Sequence, residues 1–287
     1  MIGRQNTKFR LSHLKFYAYL IPIAFVMGLP LVFIFNHAFK PIGELFLFPP
    51  RFLVQQPTLE NFVRLADATA TSGIPVSRYI YNSLLITAFV VFFSVLIGSM
   101  AAFAFAKLKF KGRNAFFTIN TLALMFVATA VAIPRYLVIE NLGIIDTYFA
   151  HVLPALAMPV GLFLVTQFTT QIPDSLIEAA RIDGAGNFYI YRRIVLPLIL
   201  PAISTVAILA FQGVWNDAGT SATFINNESL RTLAFFMSTL TAGGGATAVA
   251  GQGMAAAAGL IMLIPNLILF IIMQSRVINT MAHSGLK

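Results

Sequence analysis

Six uninterrupted apolar runs, each close to the length needed to cross a bilayer, constrain this chain more than any other feature. They are Phe16 to Phe35, Tyr79 to Ala106, Phe116 to Ile133, Val152 to Phe168, Leu198 to Val214 and Met254 to Met273. A spanning helix needs about 20 apolar residues at about 1.5 Å rise each. None of the runs alternates apolar with polar residues, so a closed β-barrel, which needs period-two hydrophobicity, is a poor fit. The composition agrees, because 58% hydrophobic and 10% charged residues with a mean hydropathy of +0.83 rule out a water-soluble globule. The expected fold is an all-α integral membrane protein with six transmembrane helices. Residues 16–274 form the membrane domain between tails at 1–15 and 275–287.

The N-terminal tail carries Arg4, Lys8, Arg10 and Lys15, like the start of a signal peptide. The apolar run behind it is too long for a signal peptide and lacks a small-residue cleavage site, so the segment is expected to be retained. Orientation follows from the basic residues, which concentrate in cytoplasmic loops. With the N-terminus inside, the inner segments hold the four tail cations, Lys107, Lys109, Lys111, Arg113, Arg181, Arg192, Arg193, Arg276 and Lys287. The outer segments hold Lys40, Arg51, Arg64, Arg78 and Arg231, and Arg135 falls at a boundary. Both termini are therefore expected to be cytoplasmic. The net charge of +9 reflects these loops rather than a nucleic-acid partner.

Two outer segments are long. The first, 37–78, contains Pro41, Pro49, Pro50 and Pro57, then Leu59, Phe62, Val63 and Ala66 at helical spacing, which predicts a short amphipathic surface helix. The second, 217–253, is rich in Gly, Ala, Ser and Thr; it reads either as a disordered connection or as a docking surface for an extracytoplasmic partner. Small-residue stripes at Gly98, Ala102 and Ala106 and at Gly251, Ala255 and Gly259 permit close helix contact, within the chain or with another subunit.

Catalytic signatures are missing. No lysine follows a glycine, so there is no phosphate-cradling loop, and the four histidines are too scattered for a zinc-protease helix. There is no cysteine, which excludes thiol catalysis and zinc–thiolate sites. The chain is expected to bind no cofactor or metal of its own. Arg135, His151 and Asp217 lie near predicted span ends, where snorkelling to the headgroups accounts for them. A proton relay at mid-membrane has no candidates, and no internal repeat is visible, which counts against an ion-coupled secondary transporter. A membrane-embedded enzyme lacks its catalytic cluster.

The inner loop at 172–197 is the most informative stretch. Ser175 and Glu178 have capping-box spacing after Pro173 and Asp174, and Gly184 supplies a left-handed stop, so a helix over 175–183 is predicted. Tyr189 to Leu196 then resumes a helical pattern before Pro197 starts the next span.

Glu178-Ala179-Ala180, three residues, Gly184, nine residues and then Ile194-x-Leu196-Pro197 resembles, at every position, the EAA signature of permease subunits of bacterial ABC importers. Leu59-Glu60-Asn61-Phe62, Tyr81-Asn82-Ser83 and Trp215-Asn216-Asp217 are similar to the maltose-type, carbohydrate-uptake branch. The chain departs from that pattern after Asp217, where Ala-Gly-Thr-Ser replaces an apolar run, and in the tail from Gln274. The resemblance implies the type I importer permease fold in a bacterial inner membrane. It also implies a second homologous permease, two ATPase subunits that bind ATP and magnesium, and an extracytoplasmic binding protein that delivers a sugar or oligosaccharide. On this reading the loop is a coupling helix seated in the ATPase. Glu178, Ala179, Ala180, Arg181, Asp183, Gly184, Leu196 and Pro197 would form the coupling surface. Glu178 can also complete the capping box, and Arg181, Arg192 and Arg193 read equally as positive-inside charges. Candidates for the sugar path are Gln167, Gln212, Trp215 and Asn216, because a pyranose offers hydroxyls to amides and an apolar face to an aromatic ring. Trp215 also fits an interfacial belt.

The orientation is checked by single cysteines in this cysteine-free chain. Ser12→Cys and Ser284→Cys are expected to resist a membrane-impermeant thiol reagent in intact cells, whereas Thr58→Cys and Ser229→Cys react. Labelling at position 12 reverses the topology.

Overall fold

A computed structural model describes residues 14–49, 51–67, 73–242 and 247–284. The expectations resting on Arg4, Lys8, Arg10 and Lys287 lie outside the described residues. Helices follow one another as α1 (Leu14–Phe39), α2 (Ile42–Leu45), α3 (Glu60–Asp67), α4 (Val76–Lys107), α5 (Arg113–Ala123), α6 (Ala132–Asn141), α7 (Tyr148–Leu156) and α8 (Pro159–Thr170). Then come α9 (Asp174–Ile182), α10 (Asn187–Ile190), α11 (Leu196–Leu198), α12 (Leu200–Trp215), α13 (Gly219–Phe224), α14 (Leu233–Ala242) and α15 (Thr247–Ser284). Among the described residues there is no strand.

Four stretches are long and apolar enough to cross a membrane: Phe16–Phe39, Val76–Lys107, Tyr148–Thr170 and Gly251–Gln274. A fifth is obtained if Asn187–Leu198 and Leu200–Trp215, bent by 80°, count as one span. The run from Phe116 to Ile133 does not form one helix, because α5 stops at Ala123 and α6 begins at Ala132. Between them the backbone closes i→i+3 turns, including Met125 N to the Leu122 carbonyl at 2.9 Å and Ala130 N to the Val127 carbonyl at 3.0 Å. Pro134 falls in the first turn of the restarted helix, where its missing N–H has no intrahelical partner to lose. Pro201 acts likewise at the 80° bend, where Ile199 leaves helical geometry at ψ 5°.

The chain divides into two compact units. The first holds residues 1–68 and 240–261. Here the last carbonyls of α1, which have no intrahelical partner, converge on one amide. Asn61 Nδ2 donates to the carbonyls of His37, Ala38 and Lys40 at 3.3, 3.1 and 2.7 Å. The segment that follows α1 is tied down further by Val54 N donating to Asn36 Oδ1 and by Gln56 N donating to the Glu44 carboxylate. The expected amphipathic helix is present as α3, but its buried face carries Asn61 and Leu65, while Leu59 and Val63 point outward. On α15 the tightest approach is at Gly253 rather than Gly251, because a methyl group at 253 would collide with the Asn61 side chain.

The second unit holds residues 69–239 and 262–287. Its axis is α4, which buries Tyr79, Asn82, Ser83, Ile86, Val90, Ser94, Ala102 and Phe103 at helical spacing and packs against α8 and α12. Residues 217–233 form an ordered cap, which decides against a disordered connection for that stretch. Asn82 Nδ2 donates to the carbonyls of Ser229 and Arg231 at 2.8 and 2.9 Å, and Asn82 Oδ1 accepts from Tyr148 at 2.8 Å. Leu233 N donates to Ser83 Oγ at 2.8 Å. Asp146, itself at φ 62°, accepts from Asn226 N and Asn227 N at 3.0 and 2.7 Å.

Asn82→Ala removes three hydrogen bonds at a fully buried position and is expected to destabilise the cap by about 2 kcal/mol or more. Limited proteolysis in detergent should then cut within 217–233 faster than in the parent protein, with the remaining helices unaffected.

Candidate coupling surface

The helix expected over 175–183 is α9, Asp174–Ile182, displaced by one residue. The displacement removes the capping box. Pro173 occupies the cap position without a side-chain bond, and Ser175 lies one residue inside the helix. Glu178 is thus free of that role and exposed. An acid in the first turn, Asp174, and a base in the last, Arg181, complement the helix dipole.

The C-terminal stop is as the glycine predicts. Gly184 adopts φ 81°, a conformation that costs a side-chain-bearing residue about 1–2 kcal/mol. Gly184 N donates to the Arg181 carbonyl at 3.0 Å and Ala185 N to the Ala180 carbonyl at 2.9 Å. This pair of bonds is a Schellman motif, and its apolar contact is supplied by Ala180 and Ala185, both packed on the core.

That core holds α9 to the rest of its unit. Ile177 is buried with Phe103 of α4, Val165 of α8 and Ile203 of α12. Beyond Gly186 the chain enters α10, then a wide π-helical turn at Tyr191–Val195, then α11. The π turn presents Tyr191 to α4, where its hydroxyl meets Ser99 Oγ at 2.7 Å in a buried contact.

An electrostatic clamp at the start of α9 escaped sequence reading. Lys107, the last residue of α4, has a side chain only 4% exposed. Its Nζ donates to Asp174 Oδ1 at 2.7 Å, to the Ile172 carbonyl at 2.5 Å and to the Thr170 carbonyl at 3.5 Å. One cation thus ends α8 and starts α9. The Lys107 hydrogen bond, then its charge, holds the exposed Asp174 carboxyl below the usual carboxylate range, with Arg113 and Lys109 contributing from further off. Sequence spacing gave no sign of this pairing, because the two residues are 67 positions apart.

With its inner face bound in this way, the elbow leaves Glu178, Ala179, Arg181, Asp183, Gly184 and Pro197 exposed, and Ala180 and Leu196 partly buried. Exposed Ile182, Phe188 and Tyr189 accompany them, with Ile182 86% exposed. These apolar side chains were not singled out from sequence, although their bulk in a polar loop was visible there. Arg192 and Arg193 are also exposed.

The four candidates for a sugar path do not converge. Gln167 is exposed three residues from the end of α8 at the coupling loop. Gln212 and Asn216 are exposed at the opposite end of α12, with Gln212 twelve residues from Leu200, about 18 Å along the helix. Trp215 is buried at 2%, stacks on Phe211 and donates its indole N–H to the Met262 carbonyl at 3.0 Å. Its donor is therefore committed to packing.

Comparison with known proteins places the chain in a family. Residues 94–275 match the family model described as binding-protein-dependent transport system inner membrane component. The arabinooligosaccharides transport system permease protein AraQ of Halalkalibacterium halodurans is 30% identical over 271 residues, covering 92% of this chain and 93% of its own. The sulfoquinovosyl glycerol transport system permease protein SmoH of Agrobacterium fabrum is 28% identical, covering 92% of this chain and 91% of its own. Among solved structures, a bacterial ABC transporter involved in the import of the acidic polysaccharide alginate superposes with a TM-score of 0.80 at 20% identity, over 94% of this chain and 99% of that one. The chain belongs to the family of inner-membrane components of binding-protein-dependent transport systems.

Proposed function

We propose that this chain is a permease subunit of an ATP-driven importer, carrying a sugar or oligosaccharide handed over by an extracytoplasmic binding protein. The observation that carries the reading is the elbow at 172–197, which is capped at its C-terminus, clamped by Lys107 at its N-terminus and fully exposed on its outward face. An exposed apolar and charged surface on a rigid loop fits docking against another protein. The names of the relatives, whose cargoes are carbohydrates, support the substrate class.

In this reading Glu178, Ala179, Arg181, Asp183 and Gly184 meet a partner ATPase, which supplies the ATP and magnesium chemistry. Ile182, Phe188 and Tyr189 supply the apolar contact. Leu196 and Pro197 connect the elbow to α12. The chain spans the inner membrane six times with both termini cytoplasmic, α5 and α6 together making one broken crossing and α10 to α12 another. Gln167, Gln212 and Asn216 remain available to a solute from opposite ends of that path. Movement of the elbow with closure of the ATPase dimer rotates the attached helices and exposes the path to either side in turn.

Reconstitution with a second permease, the ATPase dimer and a sugar-loaded binding protein is expected to stimulate ATP hydrolysis and drive uptake that survives collapse of ion gradients. Uptake driven by a proton or sodium gradient without ATP denies the reading.

Lys107→Met is expected to speed hydrogen exchange of the amides at 174–180 by about tenfold or more, since charge-assisted bonds to the loop are lost. Uptake should fall further than ATP hydrolysis. In the parent protein the clamp is insensitive to pH between 7 and 5. Asp174 has a folded pKa below its unfolded value of about 3.9, so its contribution is lost only as pH falls below that range.

A further inference from the structure

Arg135, His151 and Asp217 look unrelated in sequence, each near the end of a different apolar run. In the structure all three line one cavity of about 220 Å³, with Ile86, Gly213 and Thr232. The volume corresponds to about seven waters, room for one sugar ring.

The three polar groups are disposed differently. His151 is 95% buried, and its Nε2 has no hydrogen-bond partner among the described residues. It shares the cavity wall with the Asp217 carboxylate. A buried ring nitrogen left unpaired is costly unless something polar enters to meet it. Asp217 is held in place from below, with Oδ1 accepting from Thr220 N at 3.1 Å and Oδ2 from the Thr220 hydroxyl. Each carboxylate oxygen keeps a further lone pair. Thr232 is fixed by Ser221 Oγ at 3.0 Å and by the Asp217 carbonyl at 3.3 Å. Arg135 is exposed, lies over the Phe224 ring at 5.7 Å and supplies only donors.

We propose that this cavity is a solute subsite for one uncharged, hydroxyl-rich ring, a proposal that rests on the transport reading above. Asp217 and His151 Nε2 accept from neighbouring hydroxyls, and the Arg135 guanidinium donates to a ring or glycosidic oxygen. The pairing of one cation with one carboxylate selects the class. A polyol presents donors and acceptors together and satisfies both, whereas a uronate adds a second negative charge to a cavity that already holds Asp217.

Gly213 gives the test a handle. It lines the cavity, and a side chain added there meets no atom within 4 Å. In the assembled transporter with cysteine-free partners, Gly213→Cys is labelled with a maleimide in the presence of arabinotriose, cellobiose or digalacturonic acid. Protection by a neutral sugar is expected. His151→Gln and Asp217→Asn, each built on Gly213→Cys, should raise the half-protecting concentration roughly tenfold or more. Protection by digalacturonic acid alone overturns the proposed class. No protection by any of the three, or an unchanged half-protecting concentration in both variants, overturns the subsite. Uptake measured in the same preparation separates the two readings: protection without ATP-driven uptake denies the transport role and leaves the subsite standing, while uptake without protection does the reverse.

Discussion

Helix ends are the constraint on which this structure turns. In a low-dielectric surrounding, each broken helix exposes amides and carbonyls that water cannot serve, so every interruption must find a partner within the chain. The chain answers with single polar side chains from neighbouring helices and loops. Asn61 closes the end of α1, Asn82 holds the cap over 229–231, Asp146 takes the amides of 226 and 227, and Lys107 takes the end of α8. Between α5 and α6 the backbone closes tight turns on itself instead. Apolar burial on α4, α8 and α12 brings these helices together, and the polar partners fix where each may stop.

The distribution of what could be read from the sequence follows from this. Apolar runs and the Gly184 stop are local signals, and the helices of α1, α4, α9 and α15 and the left-handed turn follow from them. The spacing of Glu178, Ala179, Ala180, Gly184, Leu196 and Pro197 likewise marks the elbow. Hydropathy counts apolar residues without registering backbone turns, so it runs Phe116 to Ile133 together although the chain turns between α5 and α6. The capping box failed for a similar reason. Ser175 and Glu178 have the right spacing, but Pro173 takes the cap position and carries the helix start one residue earlier. The clamp and the Arg135, His151 and Asp217 cavity depend on residues tens of positions apart, for which a single sequence holds no spacing signal. Trp215 was ambiguous between belt and sugar platform, and its burial against Met262 is a tertiary fact.

The two ends of α4 divide the labour of its unit. Its first turns carry Tyr79, Asn82 and Ser83, which hold the cap, with Tyr79 donating to Glu228 at 3.0 Å. Its last turns carry Ser99, Phe103 and Lys107, which hold the elbow. A continuous helix of 32 residues is about 48 Å long, so one stiff element touches both surfaces where partners are proposed to dock.

The bend at Ile199 sets a lever arm. From that pivot α12 runs 16 residues, about 24 Å, so a turn of about 10° there carries its far end through about 4 Å. The far end is not empty ground, because Ala210, Gly213 and Val214 form a wall of the polar cavity. A displacement of that size is comparable to the thickness of a sugar ring, and a small swing at the inner pivot is geometrically enough to open or pinch shut a compartment most of a helix length away.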